Sequence, residues 1–150
     1  MIPTTFCRKA GKLLFAALLI TLAGSAMTAQ AQITAVNAAS FATDKVVAPD
    51  TIVAGFGTFN TQNNQVFIAP SLPLPTTLGG VRIRIANTDC GLFFVAPSQI
   101  NFLIPANTVD GASVTVTVTN ANNSTTTGTI TVVRSAPGIF SARATGQGAA

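Results

Sequence analysis

Gly91-Leu-Phe-Phe-Val-Ala-Pro-Ser-Gln-Ile-Asn-Phe-Leu-Ile-Pro105 is the densest apolar stretch after the N-terminal segment and holds three of the chain's ten phenylalanines. It reads as two short strands hinged at Pro97-Ser98. Leu92 to Val95 is a continuous apolar run, the pattern of a strand buried on both faces. Beyond the hinge, Ile100, Phe102 and Ile104 alternate with Gln99, Asn101 and Leu103, so one set faces a core. Pro105 closes the second strand because it has no N–H to give to a ladder.

Strands of the same kind extend outward from this pair. Val81, Ile83 and Ile85 alternate with Arg82, Arg84 and Ala86 after the Gly79-Gly80 turn, predicting a half-buried strand with its arginines in water. Ser113 to Thr119 puts Val114, Val116 and Val118 on one side. Gly128 to Arg134 does the same with Ile130 and Val132, and the two form an antiparallel hairpin across the Asn120–Ser124 loop. Earlier in the chain, Gln32–Val36, Thr51–Phe59 and Val66–Ala69 read as strands. Gly55 and Gly57 mark a bulge or a close backbone approach within the second of these. The Gly55-Phe-Gly57 pair lacks the third glycine and the following helix of a dinucleotide-binding turn. Pro70 to Pro75 is a rigid extended connector, and its Pro-x-x-Pro spacing has no flanking basic residue to suggest a peptide ligand. Ala136-Pro-Gly-Ile-Phe140 is expected to form a turn and an apolar plug. Strands separated by Gly, Pro and Asn turns, with no helical period, predict an all-β sandwich or barrel.

The first 31 residues read as a helical secretory signal peptide. Arg8, Lys9 and Lys12 form the basic region, Leu13 to Ala23 the apolar region, and Ala29-Gln-Ala31 the small-residue site, with cleavage after Ala31. The apolar run is well short of the about 20 residues that span a bilayer. Cys7 precedes it, where a lipoprotein cysteine would follow it. Removing 31 residues from 150 leaves 119, arranged as a domain over 32–140 and a small polar tail, or the start of a continuation, over 141–150. No membrane span is expected after cleavage.

Cleavage also removes the basicity. The precursor carries +4, but the remainder sets Lys45, Arg82, Arg84, Arg134 and Arg143 against Asp44, Asp50, Asp89 and Asp110, a net of +1. A nucleic-acid partner is therefore not expected. Cys90 is left without a disulfide partner. It reads as a small buried hydrophobe, and Asp89 beside it would raise a thiol pKa, which opposes nucleophilic use.

The chain has no His, Tyr or Trp, and its four acidic residues are all Asp. Ser-His and Cys-His catalysis and Cys/His zinc sites are excluded. Asp44 and Asp50 are the closest carboxylate couple, but both lie in turns, where Asp serves local hydrogen bonding. A calcium site near Asp110 would lack the EF-hand spacing. Arg82 and Arg84, about 6.6 Å apart on one strand face, have a spacing that suits an anion, though a solvated face is the plainer reading. Sugar binding commonly uses Trp or Tyr platforms. The phenylalanines here occupy strand contexts that fit a core. No catalytic, cofactor-binding or metal-binding residue is assigned, and no cofactor is expected. Gln99 and Asn101 are the polar residues to probe, as groups bridging backbone beside the tight turn.

Asn37-Ala-Ala-Ser-Phe41, Ala48-Pro-Asp-Thr-Ile-Val-Ala-Gly-Phe-Gly57, Leu72-Pro-Leu-Pro-Thr-Thr-Leu-Gly-Gly-Val81, Leu92-Phe-Phe-Val-Ala-Pro-Ser-Gln-Ile-Asn-Phe102 and Ala136-Pro-Gly-Ile-Phe140 occur in this order. Together they resemble the uncharacterised Solibacter-type C-terminal domain of exported acidobacterial proteins, itself similar to IPT/TIG immunoglobulin-like domains. The resemblance covers about Ile33 to Phe140. It implies an all-β, immunoglobulin-like antiparallel β-sandwich, secreted or at the cell surface, with no established activity and no catalytic residues to carry over. Asp50 departs from the glycine usual in that motif. The family continues with further strands beyond Phe140, so the last strand here is expected to expose an unpaired edge. The expected role is a non-catalytic structural or interaction module in the periplasm, at the cell surface or outside the cell. Its expected partners are envelope or extracellular proteins, or polysaccharide; a carbohydrate- or polymer-binding module is the alternative.

Overall fold

The hinge at Pro97-Ser98 joins two strands of one sheet, and the rest of the fold is built around that pair. A computed structural model describes residues 32–140. The expected signal peptide over 1–31, its cleavage site and the tail over 141–150 lie outside the described residues.

Five strands form one sheet: β1 (Thr34–Asn37), β3 (Ile52–Phe56), β9 (Gln99–Leu103), β8 (Gly91–Val95) and β4 (Phe67–Ile68), in that spatial order. The second sheet runs β2 (Val46–Val47), β11 (Thr125–Val132), β10 (Ala112–Thr119), β6 (Val81–Ile85) and β5 (Thr77–Leu78), with β7 (Thr88–Asp89) paired to β6. The two sheets pack face to face around one apolar core, an immunoglobulin-like sandwich. All pairings between these strands are antiparallel except β2 with β11, which is parallel. Among the described residues the one helical element is a single 3-10 turn, Gln62–Asn64.

Period-two alternation places the core residues as expected. Val81, Ile83 and Ile85 from β6, Val116 and Val118 from β10, and Ile130 and Val132 from β11 are buried. They meet Val53 from β3 and Ile100, Phe102 and Ile104 from β9 and the residue after it. Phe102 is fully enclosed, and its burial contributes roughly 1.5–3 kcal/mol of transfer free energy. Gly79 and Gly80, with φ of 57° and 77°, form the two-residue turn of the β5–β6 hairpin. A turn with both central residues at positive φ matches the right-handed twist of the strands it joins.

Several expectations change. The run Leu92–Val95 is not buried on both faces: Leu92 and Val95 are fully buried while Phe93 and Phe94 are half-buried. A β-bulge causes this, because Leu92 pairs with Phe102 and Phe94 with the adjacent Asn101, so Phe93 is the extra residue. The bulge turns two residues three apart toward the same core. The Ala136–Phe140 segment is not a plug. Ile139 and Phe140 are 72% and 66% exposed, and the segment is tied to the sandwich by Asn37 Nδ2 donating to the Ala136 carbonyl at 3.1 Å. The last strand is not an open edge either, since β2 and the Gln32–Thr127 bridge cover β11 on its free side. Strand β11 begins at Thr125, three residues before the expected Gly128. The strands β2, β5 and β7 are each two residues long, too short to show a period.

The predicted close approach at the paired glycines is present. A Cβ on Gly55 would strike the Ile33 side chain, and one on Gly57 would lie 2.9 Å from the Gln32 carbonyl oxygen.

Candidate interaction face

A sandwich has two outer faces, and here they differ in chemistry. On the five-stranded sheet, Val53 and Gly55 point inward, so Ile52, Ala54 and Phe56 lie on the other face. Ile52 and Phe56 reach solvent there, while Ala54 and its neighbour Val36 on β1 are covered by the chain itself. On β9 the outward residues are Gln99, Asn101 and Leu103. The register aligns them in rows: Ile52 beside Leu103, Phe56 beside Gln99, and Ala54, Asn101, Phe94 and Ile68 in one line across four strands. None of these residues is charged, and no strand of this sheet carries a charged residue. Ile68 is 72% exposed and Phe56 37%. The Phe41 ring lies 6.4 Å from that of Phe56, tilted by 39°, within the range of a favourable aromatic pair. The face continues at its β4 edge into an apolar groove lined by Ile68, Pro70, Leu72, Leu74 and Phe93, with Leu72 79% exposed.

The Pro97-Ser98 hinge positions the centre of this face. Ala96 N–H donates to the Gln99 carbonyl at 2.8 Å, closing the turn. The turn's other carbonyls are used by Phe59 N–H to Pro97 and Gly57 N–H to Ser98. With the backbone satisfied this way, Gln99 Nε2 donates to Asn101 Oδ1 at 2.9 Å. The two amides therefore bridge each other across one strand face, not the backbone as expected from the sequence. That bond uses one donor and one acceptor, leaving Gln99 Oε1 and the Asn101 amide group for another partner.

The outer face of the six-stranded sheet is a lattice of hydroxyls. Thr119 faces Thr125, Thr117 faces Thr127 and Thr115 faces Thr129. Arg82 and Arg84 flank this lattice from β6. Arg84 is not available to an anion in the way its spacing suggested. Its Nε lies 3.2 Å from Asp89 Oδ1 without hydrogen-bond geometry, and its Nη2 donates to the Asn87 carbonyl at 2.6 Å.

The carboxylates stay in structural roles. Asp44 Oδ1 accepts from Val46 N–H at 3.1 Å, the local turn bond expected of Asp. Asp50 occupies a turn at φ 59°, a conformation Asp tolerates better than most residues, and its own N–H donates to the Ile104 carbonyl. Asp110 Oδ2 lies 3.6 Å from Arg134 Nε in an exposed ion pair. Among the described residues, no three acidic, His or Cys side chains gather as metal ligands would. Cys90 is fully buried, its N–H bonded to the Ile83 carbonyl, and its thiol is pushed up to about 12 by burial first and the Asp89 charge second. It is a core residue with no thiolate at neutral pH.

A polar hollow at one end of the sandwich lies between the Thr58–Asn64 and Asn120–Thr126 segments. Asn120 knits it: its Oδ1 accepts from Asn60 N–H, and its Nδ2 donates to Ser124 Oγ and Thr126 Oγ1. That buried amide is spent on holding the two loops together.

Sequence reasoning missed the apolar face. It assigned the phenylalanines to the core, yet of the eight from Phe41 onward only Phe59 and Phe102 are buried. The signal was present at Ile52 and Phe56, which share a parity opposite to Val53, but the glycines hid which parity faced inward. Comparison with known proteins finds the family described as the IPT/TIG domain matching residues 18–132. No curated protein and no solved structure matches the chain. With that match spanning most of the sequence and a two-sheet all-β fold beneath it, the chain belongs to the IPT/TIG domain family.

Proposed function

We propose that this chain is an exported, non-catalytic interaction module of the cell envelope or secretome, of the Solibacter-type branch suggested by its five ordered motifs. Residues 1–31 direct export and are removed after Ala31, and 32–140 form the working domain. The observation that carries the reading is the charge-free outer face of the five-stranded sheet, on which Ile68, Phe56 and Ile52 are exposed and Phe94 is half-buried. A row of large apolar side chains facing solvent is costly unless something covers it, and such patches mark interaction sites. A side-chain palette without His, Glu, Tyr or Trp supports a binding role over a chemical one.

Two measurements test this. The exported protein should have a mass corresponding to an N-terminus at Gln32; retention of the first 31 residues would overturn the export reading. Assays of the exported protein with glycoside, ester and peptide substrates should show no turnover. An activity abolished by Asp44→Asn or Asp50→Asn would overturn the non-catalytic reading.

A further inference from the structure

We infer that the outer face of the five-stranded sheet binds a neutral polysaccharide, with Phe56 and Phe94 as stacking platforms and the Gln99–Asn101 amide pair as the hydroxyl reader between them. This deepens the interaction-module reading and rests on it. The register sets the geometry. Phe56 lies beside Gln99, and Phe94 beside Asn101, with β9 between β3 and β8. Two strand spacings and a two-residue offset put the two rings about 12 Å apart on a diagonal across the face. That diagonal passes over the amide pair, and its length accommodates a short run of linked sugar rings.

The chemistry of the face matches that ligand. A pyranose presents an apolar C–H face and a rim of hydroxyls that both donate and accept. Phe rings take the C–H face. Gln99 Oε1 offers an acceptor, and the Asn101 amide group offers donors, since their mutual bond leaves these positions for a partner. No strand of the sheet carries a charge, which favours a neutral polymer over an acidic one. A protein partner, including a second copy of this chain, would seal the two amides at the centre of an apolar contact. Each donor or acceptor left unmet there costs about 1–3 kcal/mol. A chain of hydroxyls meets them instead. The objection that the phenylalanines belong to the core does not apply to these two, of which Phe56 is exposed and Phe94 half-buried.

The test is native affinity electrophoresis of the exported protein in gels containing a neutral β-glucan, a neutral mannan or acidic alginate. At least one neutral gel should retard it, independently of added salt, and alginate should not. Phe56→Leu and Phe94→Leu keep an apolar side chain and remove the ring, and each should weaken the apparent affinity roughly tenfold. Gln99→Ala with Asn101→Ala should weaken it comparably, while Thr117→Ala on the opposite face leaves it unchanged. Circular dichroism confirms that each variant is folded. Retardation by neither neutral gel, retardation by alginate alone, or equal retardation of the leucine variants would overturn the proposal. Sedimentation of the same proteins separates the two readings. Self-association lost in the leucine variants would replace the polysaccharide with a second copy and leave the interaction module standing. If the variants alter neither property, both readings fall.

Discussion

The two outer faces of this sandwich rest on the same core, yet one is a threonine lattice and the other a set of apolar side chains around two amides. The threonine face, with Thr119–Thr125, Thr117–Thr127 and Thr115–Thr129 in register, is what solvent requires of an exposed sheet. The other face, from Ile52 and Phe56 across Asn101 and Phe94 to Ile68, departs from that requirement over four strands. Folding alone asks one side of each sheet to be apolar. The second apolar side is therefore the feature in need of a ligand.

The comparison breaks most completely if the core the faces share is opened. Phe102 is fully buried between the sheets. Phe102→Ala should cost about 3–5 kcal/mol, read as a fall in thermal midpoint. A loss below about 1 kcal/mol would mean that the outer faces, not the core, carry the fold.

Next in size is an alkaline effect. Cys90 stands where the chain passes from β7 in one sheet to β8 in the other, so it reports on both. Its folded pKa is raised from 9.0 to about 12, so the folded state keeps a proton that the unfolded state releases. Stability is fully present below pH 9 and should fall by about 1.4 kcal/mol per pH unit as pH rises toward 12. Denaturant titrations of wild type and Cys90→Ala should diverge over that window, and parallel slopes would contradict the buried assignment.

How much of the contrast was legible in the chain depends on the strand. Val81-Arg-Ile-Arg-Ile85 and Ser113 to Thr119 alternate cleanly, so their inner and outer faces follow from parity alone. The Leu92–Val95 run has no polar residue to set parity, and the bulge at Phe93 then inverts it, so an apolar outer face reads as a doubly buried strand. In Ile52-Val-Ala-Gly-Phe56 the inward positions are Val53 and a glycine whose missing side chain is filled by Ile33, a long-range contact that local pattern does not encode. Gln99 and Asn101 are legible as polar residues beside the turn, but the expected bridge to backbone is replaced by a bond between the two side chains. The turn carbonyls beside them are taken by Gly57 and Phe59, partners from elsewhere in the chain. The segment after Ala136 looked like a plug because it is apolar, but composition does not say whether a cavity exists to receive it.

Smaller effects sharpen the comparison. Thr117→Ala or Thr127→Ala removes one member of a cross-strand pair and should cost about 0.2–1 kcal/mol, measured by urea denaturation, with no change in binding. The paired change Phe56→Leu and Phe94→Leu should cost a similarly small amount of stability while weakening binding strongly. Equal loss of binding on the two faces would erase the distinction between them. Smallest is the exposed Arg84–Asp89 contact. Arg84→Ala should change stability by less than about 1 kcal/mol, and less again in high salt. A larger loss would mean that the threonine face depends on charge.

Polysaccharide binding on the five-stranded face is tested most directly by amide chemical-shift mapping of the isotopically labelled exported protein, titrated with the neutral polysaccharide that retards it most in affinity gels. Shifts should be confined to β3, β8 and β9, strongest at Phe56, Phe94, Gln99 and Asn101. Shifts centred on β10 and β11, or on the Asn60 and Asn120 loops around the polar hollow, would contradict it.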